Sequence, residues 1–106
     1  MKNFDEFINE AVNYKDRSGK PFKIKEINFI YTEQGGRFYG TYLYDGKPGK
    51  NHNSKIGYDE SKKLLKSLGI KEELPRGYGP GVLDKICKEL KKKGIVGDHG
   101  DYMDVS

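Results

Sequence analysis

Two runs of aromatic and branched residues on either side of a Gly-Gly pair constrain the fold of this chain most strongly. The first run covers residues 22–31 and the second covers residues 37–44. Side chains of this kind suit the half-buried surface of a pleated sheet, and Gly35-Gly36 is typical of a hairpin turn. We therefore predict an antiparallel β-hairpin at the centre of the fold.

The apolar pattern of each run leaves its orientation to be determined. The first run changes phase near Lys25-Glu26, where a β-bulge would bring all of its apolar side chains to one face. The second run has two parities, either of which could be the exposed one. They are Phe38, Gly40, Tyr42 and Tyr44 on one side, and Tyr39, Thr41 and Leu43 on the other.

Two helices and further strands are predicted after the hairpin. The first helix runs from Glu60 to Leu68 with Asp59 as its cap, and the second runs from Val82 to Lys93. Glycines 69 and 94 end them. Their apolar faces are Leu64, Leu65 and Leu68 in the first, and Val82, Leu83, Ile86, Cys87 and Leu90 in the second. With a short third strand near residues 55–58 and a terminal hairpin over residues 95–105, this order predicts an α+β fold.

Composition limits the size of the core and the class of protein. The chain has 106 residues, of which 34% are hydrophobic and 34% are charged, so we expect one small domain whose core depends on its aromatic side chains. The formal net charge of +4 permits nucleic-acid binding without requiring it. A single cysteine excludes an intramolecular disulfide, and no apolar run is long enough to span a membrane. We expect a soluble protein inside a cell or a capsid.

The first eleven residues differ from the rest because they are acidic and amphipathic. A helix would place their apolar side chains on one face and their acidic side chains on the other. The apolar set, continued by Val12, is Phe4, Phe7 and Ile8, and the acidic set is Asp5, Glu6 and Glu10. Residues 11–21 contain Gly and Pro and are predicted to be a linker to a compact domain of residues 22–106.

This leader resembles the capsid-targeting propeptide of T4-like phage internal head proteins. The family pattern is Met-Lys, two or three residues, Glu-Phe-Ile, one residue and Glu-Ala, and the chain has Met1-Lys2 followed by Glu6-Phe7-Ile8-Asn9-Glu10-Ala11. Asn3-Phe4-Asp5 departs from the commonest Thr-Tyr-Gln. The match covers roughly a tenth of the chain and does not extend to the body.

The resemblance implies how the protein is processed, packaged and used. A prohead protease of that family cuts after the Glu of a hydrophobic-x-Glu motif, so the implied targeting and cleavage residues are Phe7, Ile8, Glu10 and Ala11. The protein would be packaged with the scaffold core in the capsid interior and ejected with DNA into the host cytoplasm. There it would act as a small non-catalytic inhibitor of a host factor, such as a defence nuclease. The alternative is a small basic nucleic-acid-binding module in which the first helix packs on the domain's own core.

A glycine-rich segment that leads into the second helix is a candidate partner or anion site. Arg76-Gly77-Tyr78-Gly79 would expose backbone N–H groups at the positive end of the helix dipole. Arg76 could bind a phosphate, and Tyr78 could stack on a base. The segment lacks the Walker and GxGxxG patterns, and Pro80 removes one donor. The alternative is a tight connection between two helices.

The polar loop of residues 47–55 is a second candidate, in which Lys50 and His52 are the proposed partner residues. It follows a strand that carries Arg37, Tyr39, Tyr42 and Tyr44. Cations beside aromatic rings are typical of sheets that bind single-stranded nucleic acid. The alternative is that these tyrosines form the core and the lysines are solvated. The lysine runs at 62–63 and 91–93 are predicted to be solvated helix faces.

No arrangement of side chains indicates catalysis. Cys87 lies on an apolar helix face, where it is predicted to be a small buried hydrophobe. The acidic residues around His99, together with His52, lack the spacing of a metal site. We find no Ser-His-Asp pattern and no pair of carboxylates placed for acid–base work. We therefore expect a protein without enzymatic activity and without a cofactor.

Overall fold

The computed structural model describes residues 13–16, 18–32, 36–47 and 52–102. The implied propeptide residues Phe7, Ile8, Glu10 and Ala11, and also Lys50, lie outside these ranges. The elements in chain order are β1 (Asn13–Lys15), β2 (Pro21–Lys23), β3 (Glu26–Thr32), β4 (Phe38–Tyr44), β5 (Ser54–Ile56), α1 (Tyr58–Ser67), α2 (Pro80–Lys92) and β6 (Val96–Tyr102).

The main sheet has four strands in the order β5-β4-β3-β6. β3 pairs antiparallel with β4, as the central hairpin requires, and parallel with β6 on its other side. β5 extends the sheet antiparallel to β4. β1 and β2 form a separate two-stranded sheet. The predicted α+β class is confirmed.

The core lies on the helical face of the main sheet. In β3, the alternate residues Ile27, Phe29 and Tyr31 are at most 1% exposed, and their partners Thr41 and Leu43 in β4 are fully buried. Apolar side chains of both helices complete the core. The helical members are Leu64, Leu65, Leu83, Ile86 and Leu90.

A β-bulge near the turn changes which side chains of β4 face the core at that end of the strand. Ile30 pairs with Gly40, but Tyr31 pairs with Phe38, so Tyr39 is an extra residue on the β4 side. Phe38 therefore packs against the core beside Tyr31, at a ring-centroid distance of 5.4 Å. Beyond the bulge, Tyr39 falls on the same side as Tyr42, against which its ring packs.

The phase change in the first run is a break between two strands rather than a bulge within one. β2 belongs to the small sheet, whereas β3 belongs to the large one. Ile24, between them, is buried in the same core as Ile27. The predicted bulge at residues 25–26 is therefore wrong, although Ile24 and Ile27 share one core and Phe22 packs against it. The predicted linker of residues 11–21 contains β1, in which Tyr14 pairs with Phe22.

Both helices begin earlier than predicted. The cap of α1 is Gly57 rather than Asp59. Asp59 lies in the first turn, where the helix dipole stabilises a carboxylate. α2 begins at Pro80. Proline is tolerated at this position because the backbone N–H that it lacks would have no partner in the first turn of a helix. Val82 was assigned to the apolar face but is 38% exposed. Among the described residues, neither helix has the length and apolar character needed to cross a membrane.

The predicted C-terminal hairpin is wrong over the residues that the structure describes. Residues 96–102, including the predicted polar tip, form the single strand β6. The glycine that suggested a turn has another role, because a Cβ atom on Gly97 would lie 3.1 Å from the Cα atom of Cys87 and 3.0 Å from a methyl carbon of Leu90. Gly97 thus permits the close approach of α2 to β6.

We expect Gly97→Ala to lower the free energy of unfolding by about 1–3 kcal/mol, because the added methyl group must push α2 away from β6. Urea denaturation monitored by circular dichroism measures the change. Gly81→Ala is the matched control, since no atom lies within 4 Å of its added Cβ. The close-packing interpretation is refuted if both variants are as stable as the parent chain.

Candidate functional site

The face of the main sheet opposite the helices carries a row of aromatic and cationic side chains. Tyr42 and Tyr44 lie there because their strand neighbours Thr41 and Leu43 face the core. The members of this tyrosine face are Tyr39, Tyr42, Tyr44, His52 and Lys55. Their aromatic rings are half-buried, and Lys55 is exposed.

Asp45, just after β4, and Asn53, just before β5, form a reciprocal contact. The Asp45 N–H donates to Asn53 Oδ1 at 2.9 Å, and Asn53 Nδ2 donates to the Asp45 carboxylate at 3.1 Å. The Asn53 N–H also donates to the Leu43 carbonyl oxygen. This contact places His52 on Tyr42, with ring centroids 4.1 Å apart and an angle of 16° between the planes.

Lys55 joins the row at the β5 edge. Its Nζ atom lies 3.9 Å from the centroid of the Tyr39 ring, which is a cation–π contact. The stem of Lys55 reaches Tyr39 by crossing Gly40, where a Cβ atom would lie 2.5 Å from Lys55 Cε. Glycine at position 40 therefore makes room for this contact.

The connector between the helices, residues 74–79, is held firmly against the hairpin turn. The Tyr78 N–H donates to the Gly36 carbonyl oxygen at 2.7 Å, and the Phe38 N–H donates to the Arg76 carbonyl oxygen at 2.9 Å. The exposed Arg76 guanidinium stacks on Tyr58, 4.4 Å from the ring centroid. Because the Tyr78 N–H already has an acceptor, it does not contribute to an anion cradle at the start of α2.

Three tyrosine hydroxyls fix the same connector by hydrogen bonds, two of them to its backbone and one from its own Tyr78. Tyr58 donates to the Leu74 carbonyl oxygen at 2.6 Å, and Tyr31 donates to that of Pro75 at 2.5 Å. Burial of Tyr31, together with its tyrosine neighbours, raises the pKa of its phenol. The third hydroxyl, on Tyr78, bonds to β6.

A hydrogen-bonded chain crosses from the connector to α2 through β6. The Tyr78 hydroxyl lies 2.9 Å from His99 Nδ1, and His99 Nε2 lies 2.8 Å from the Asp84 carboxylate. When the imidazole is neutral, Nδ1 accepts from the phenol and Nε2–H donates to the carboxylate. The His99 side chain is 14% exposed, whereas that of Asp84 is 67% exposed. The chain therefore ties three elements together from a largely buried ring.

The structure separates the predicted partner residues into two groups. Arg76, Gly77, Tyr78 and Gly79 belong to the connector, whereas His52 belongs to the tyrosine face. The link from Tyr78 to His99 was not anticipated, because it depends on the position of β6. His52 and Lys55, at the end of the polar loop, contact the strand tyrosines, whereas Lys50 of the same loop lies outside the described residues.

The surroundings of Cys87 and of the possible metal ligands do not indicate a reactive site within the described residues. Cys87 is half-buried, and burial, with smaller contributions from Asp98 and Asp84, raises its pKa to about 11. Within the described ranges, no group of three or more His, Cys, Asp or Glu side chains is placed to hold a metal ion.

A cleft of about 440 Å³ lies between α1 and residues 70–74. Its apolar lining consists of core side chains, and its charged lining mixes both signs. The charged residues are Asp59, Lys62, Lys63, Lys66, Lys71, Glu72 and Glu73. Since the lining includes three acidic residues and four lysines, its charges nearly balance and do not select a ligand of either sign.

Comparison of the chain with protein-family models, with curated proteins and with solved structures found no match. Function must therefore be inferred from the residues themselves. Two features invite that inference, namely the sequence of the leader and the tyrosine face of the sheet.

We expect Tyr78→Phe to lower the free energy of unfolding by about 1–2 kcal/mol, because His99 Nδ1 loses its donor in a partly buried position. Thermal and urea denaturation measure the loss. Tyr39→Phe is the matched control, because the Tyr39 ring rather than its hydroxyl contacts Lys55. Equal stability of Tyr78→Phe and the parent chain would contradict the structural role of this hydrogen bond.

Cys87 should react slowly with alkylating reagents. With a pKa of about 11, the folded chain has roughly 100-fold less thiolate at pH 8 than a thiol with a pKa of 9. We expect labelling by iodoacetamide at pH 8 to be slower by about this factor than in the urea-unfolded chain, and to accelerate as the pH approaches 11. Mass spectrometry follows the reaction, and equal rates in the folded and unfolded chains would contradict the prediction.

Proposed function

We propose that this chain is a small, non-catalytic binding protein that is packaged in a phage head through residues 1–10 and delivered to the host cytoplasm with DNA. The leader sequence motivates the proposal, because Glu6-Phe7-Ile8 and Glu10-Ala11 match the targeting and cleavage pattern. The body would then bind a host factor, such as a defence nuclease, through its folded surface.

The match of the leader to the targeting pattern carries the proposal, and the core gives it a requirement. The core cluster of described residues runs from Ile24 to Ile95, with partly buried rings such as Tyr14 and Phe22 packed against it. The proposal requires this cluster to hold the fold once a leader that ends at Glu10 is removed.

Charge is consistent with packaging beside DNA. Residues 1–10 contain three acidic residues and one lysine, so their removal raises the formal net charge from +4 to +6. A more basic body neutralises more phosphate charge, which favours association with DNA inside a capsid.

The environments of the reactive side chains support a non-catalytic role. His99 holds two elements together through both ring nitrogens, and the raised pKa of Cys87 keeps its thiol protonated near neutral pH. Each group has a structural explanation in the part of the chain that the structure describes.

We expect purified virions to contain a form of the protein that begins at Ala11, which N-terminal mass spectrometry would detect. Glu10→Gln should block this cleavage because it removes the charged residue at the implied cut. Asp5→Asn is the matched control, since Asp5 lies where the leader departs from the family pattern. A virion that lacks the protein would refute the packaging proposal, and a virion that contains only the uncut chain would refute cleavage after Glu10.

The recombinant chain that begins at Ala11 tests whether the leader is separable from the fold. We expect its free energy of unfolding to lie within about 1 kcal/mol of that of the full chain, because the proposal makes residues 1–10 a leader outside the folded body. Urea denaturation of both forms measures the difference. Loss of cooperative unfolding in the shorter chain would show that the leader belongs to the core.

A further inference from the structure

We propose that the tyrosine face binds single-stranded nucleic acid by stacking bases on its rings, a role that does not depend on how the protein is delivered. Tyr39, Tyr42, Tyr44, His52 and Lys55 carry the proposal. They lie on the face of the sheet that the helices leave uncovered.

The first support is the presence of a continuous aromatic row. The ring centroids of Tyr39 and Tyr42 are 6.5 Å apart, those of Tyr42 and His52 are 4.1 Å apart, and those of His52 and Tyr44 are 6.5 Å apart. The near-parallel stack of His52 on Tyr42 shows that this surface accommodates a flat ring at stacking distance. Because every base has a flat π-face, binding by such a row tolerates different base sequences.

The second support is the distribution of positive charge along the row. Lys55 stands at one end, with its ammonium group over the Tyr39 ring. Two exposed lysines flank the turn at the other end, because Lys25 packs against Gly46 and Lys47 follows it directly. The carboxylate of Asp45 in this turn is engaged by Asn53 and by the Lys47 N–H. The register also places two acidic residues on this face, because Glu26 pairs with Tyr44 and Asp98 pairs with Asn28. The cations therefore favour phosphates at the two ends of the row rather than along its whole length.

The third support is an unsatisfied acceptor in the floor of the same face. Asn28 pairs with Tyr42 in the sheet register, and its Oδ1 atom is buried without a hydrogen-bond partner. A buried polar atom without a partner costs stability and calls for an explanation. The amino and imino groups of bases are donors of the type that this oxygen lacks, and because the oxygen is buried, a base reaches it only when neighbouring side chains of the row move aside.

The geometry also favours single strands over duplexes. In a duplex the base faces are stacked on one another and are not presented to an outside ring. A row of rings on an open sheet can stack only with bases that are unpaired. Duplex DNA can still contact the lysines, but only through its phosphates, so its binding should be weaker and unaffected by the loss of a ring.

Fluorescence anisotropy with a labelled oligodeoxythymidine of about 15 nucleotides, at roughly 50 mM salt, tests the proposal on the full chain. We expect Tyr42→Leu and Tyr44→Leu each to weaken binding by about 5- to 150-fold, and Tyr42→Phe to retain it, since a phenyl ring still stacks. Lys55→Gln should weaken binding and reduce the salt dependence by about one counterion, whereas Lys85→Gln on the exposed side of α2 should not.

Circular dichroism establishes whether each variant is folded. If a leucine variant unfolds, the expected loss of binding in Lys55→Gln, set against retained binding in Tyr42→Phe, still tests the proposal. The proposal is overturned if the oligonucleotide does not bind the parent chain. It is also overturned if a duplex of the same length binds equally well, or if folded Tyr42→Leu and Tyr44→Leu bind like the parent. None of these outcomes bears on whether virions contain the chain, so the packaging proposal is tested separately.

Discussion

The pairing of β6 with β3 is the interaction on which the rest of the structure depends. β3 supplies the centre of the core, and β6 gives it a second neighbour along its whole length. α2 packs against β6 at Gly97, and His99 of the same strand reaches both α2 and the connector. Without β6, the core side of β3 and the apolar face of α2 would lack a common neighbour.

Six of the eight tyrosines divide into two groups according to the side of the main sheet on which they lie. Tyr31 is buried in the core, Tyr58 and Tyr78 are partly buried against it, and all three hydroxyls bond to the connector or to His99. The connector is rigid for this reason as well as for its proline and glycines. Those of β4 that point away from the helices keep their rings half-buried on the other face. A small domain without tryptophan thus uses one residue type both for its core and for its outer surface.

The sequence predicted local structure well because local structure depends on local patterns. The hairpin and both helices follow from aromatic content, from leucines at helical spacing and from Gly69 and Gly94, which have positive φ angles. The strand β6 could not be predicted, because Gly97-Asp98 resembles a turn until α2 and β3 are in place. The bulge at Tyr39 brings Phe38 into register with Tyr31 on the core side, and no local sequence pattern specified it. The basic loop and the strand tyrosines were identified as a candidate site, but the stack of His52 on Tyr42 depends on the Asp45–Asn53 contact.

The long sequence separation in the main sheet has a consequence for biosynthesis. Glu26 pairs with Val96, so a central strand must wait for nearly the entire chain before its second neighbour exists. Pairings that close such long loops slow folding, since the entropy of a large loop is lost before the contact is gained. During translation, the hairpin can form as it leaves the ribosome, but the four-stranded sheet is complete only when β6 has also emerged. Premature termination a few codons before residue 96 would therefore yield a chain with its central strand unpaired on one side.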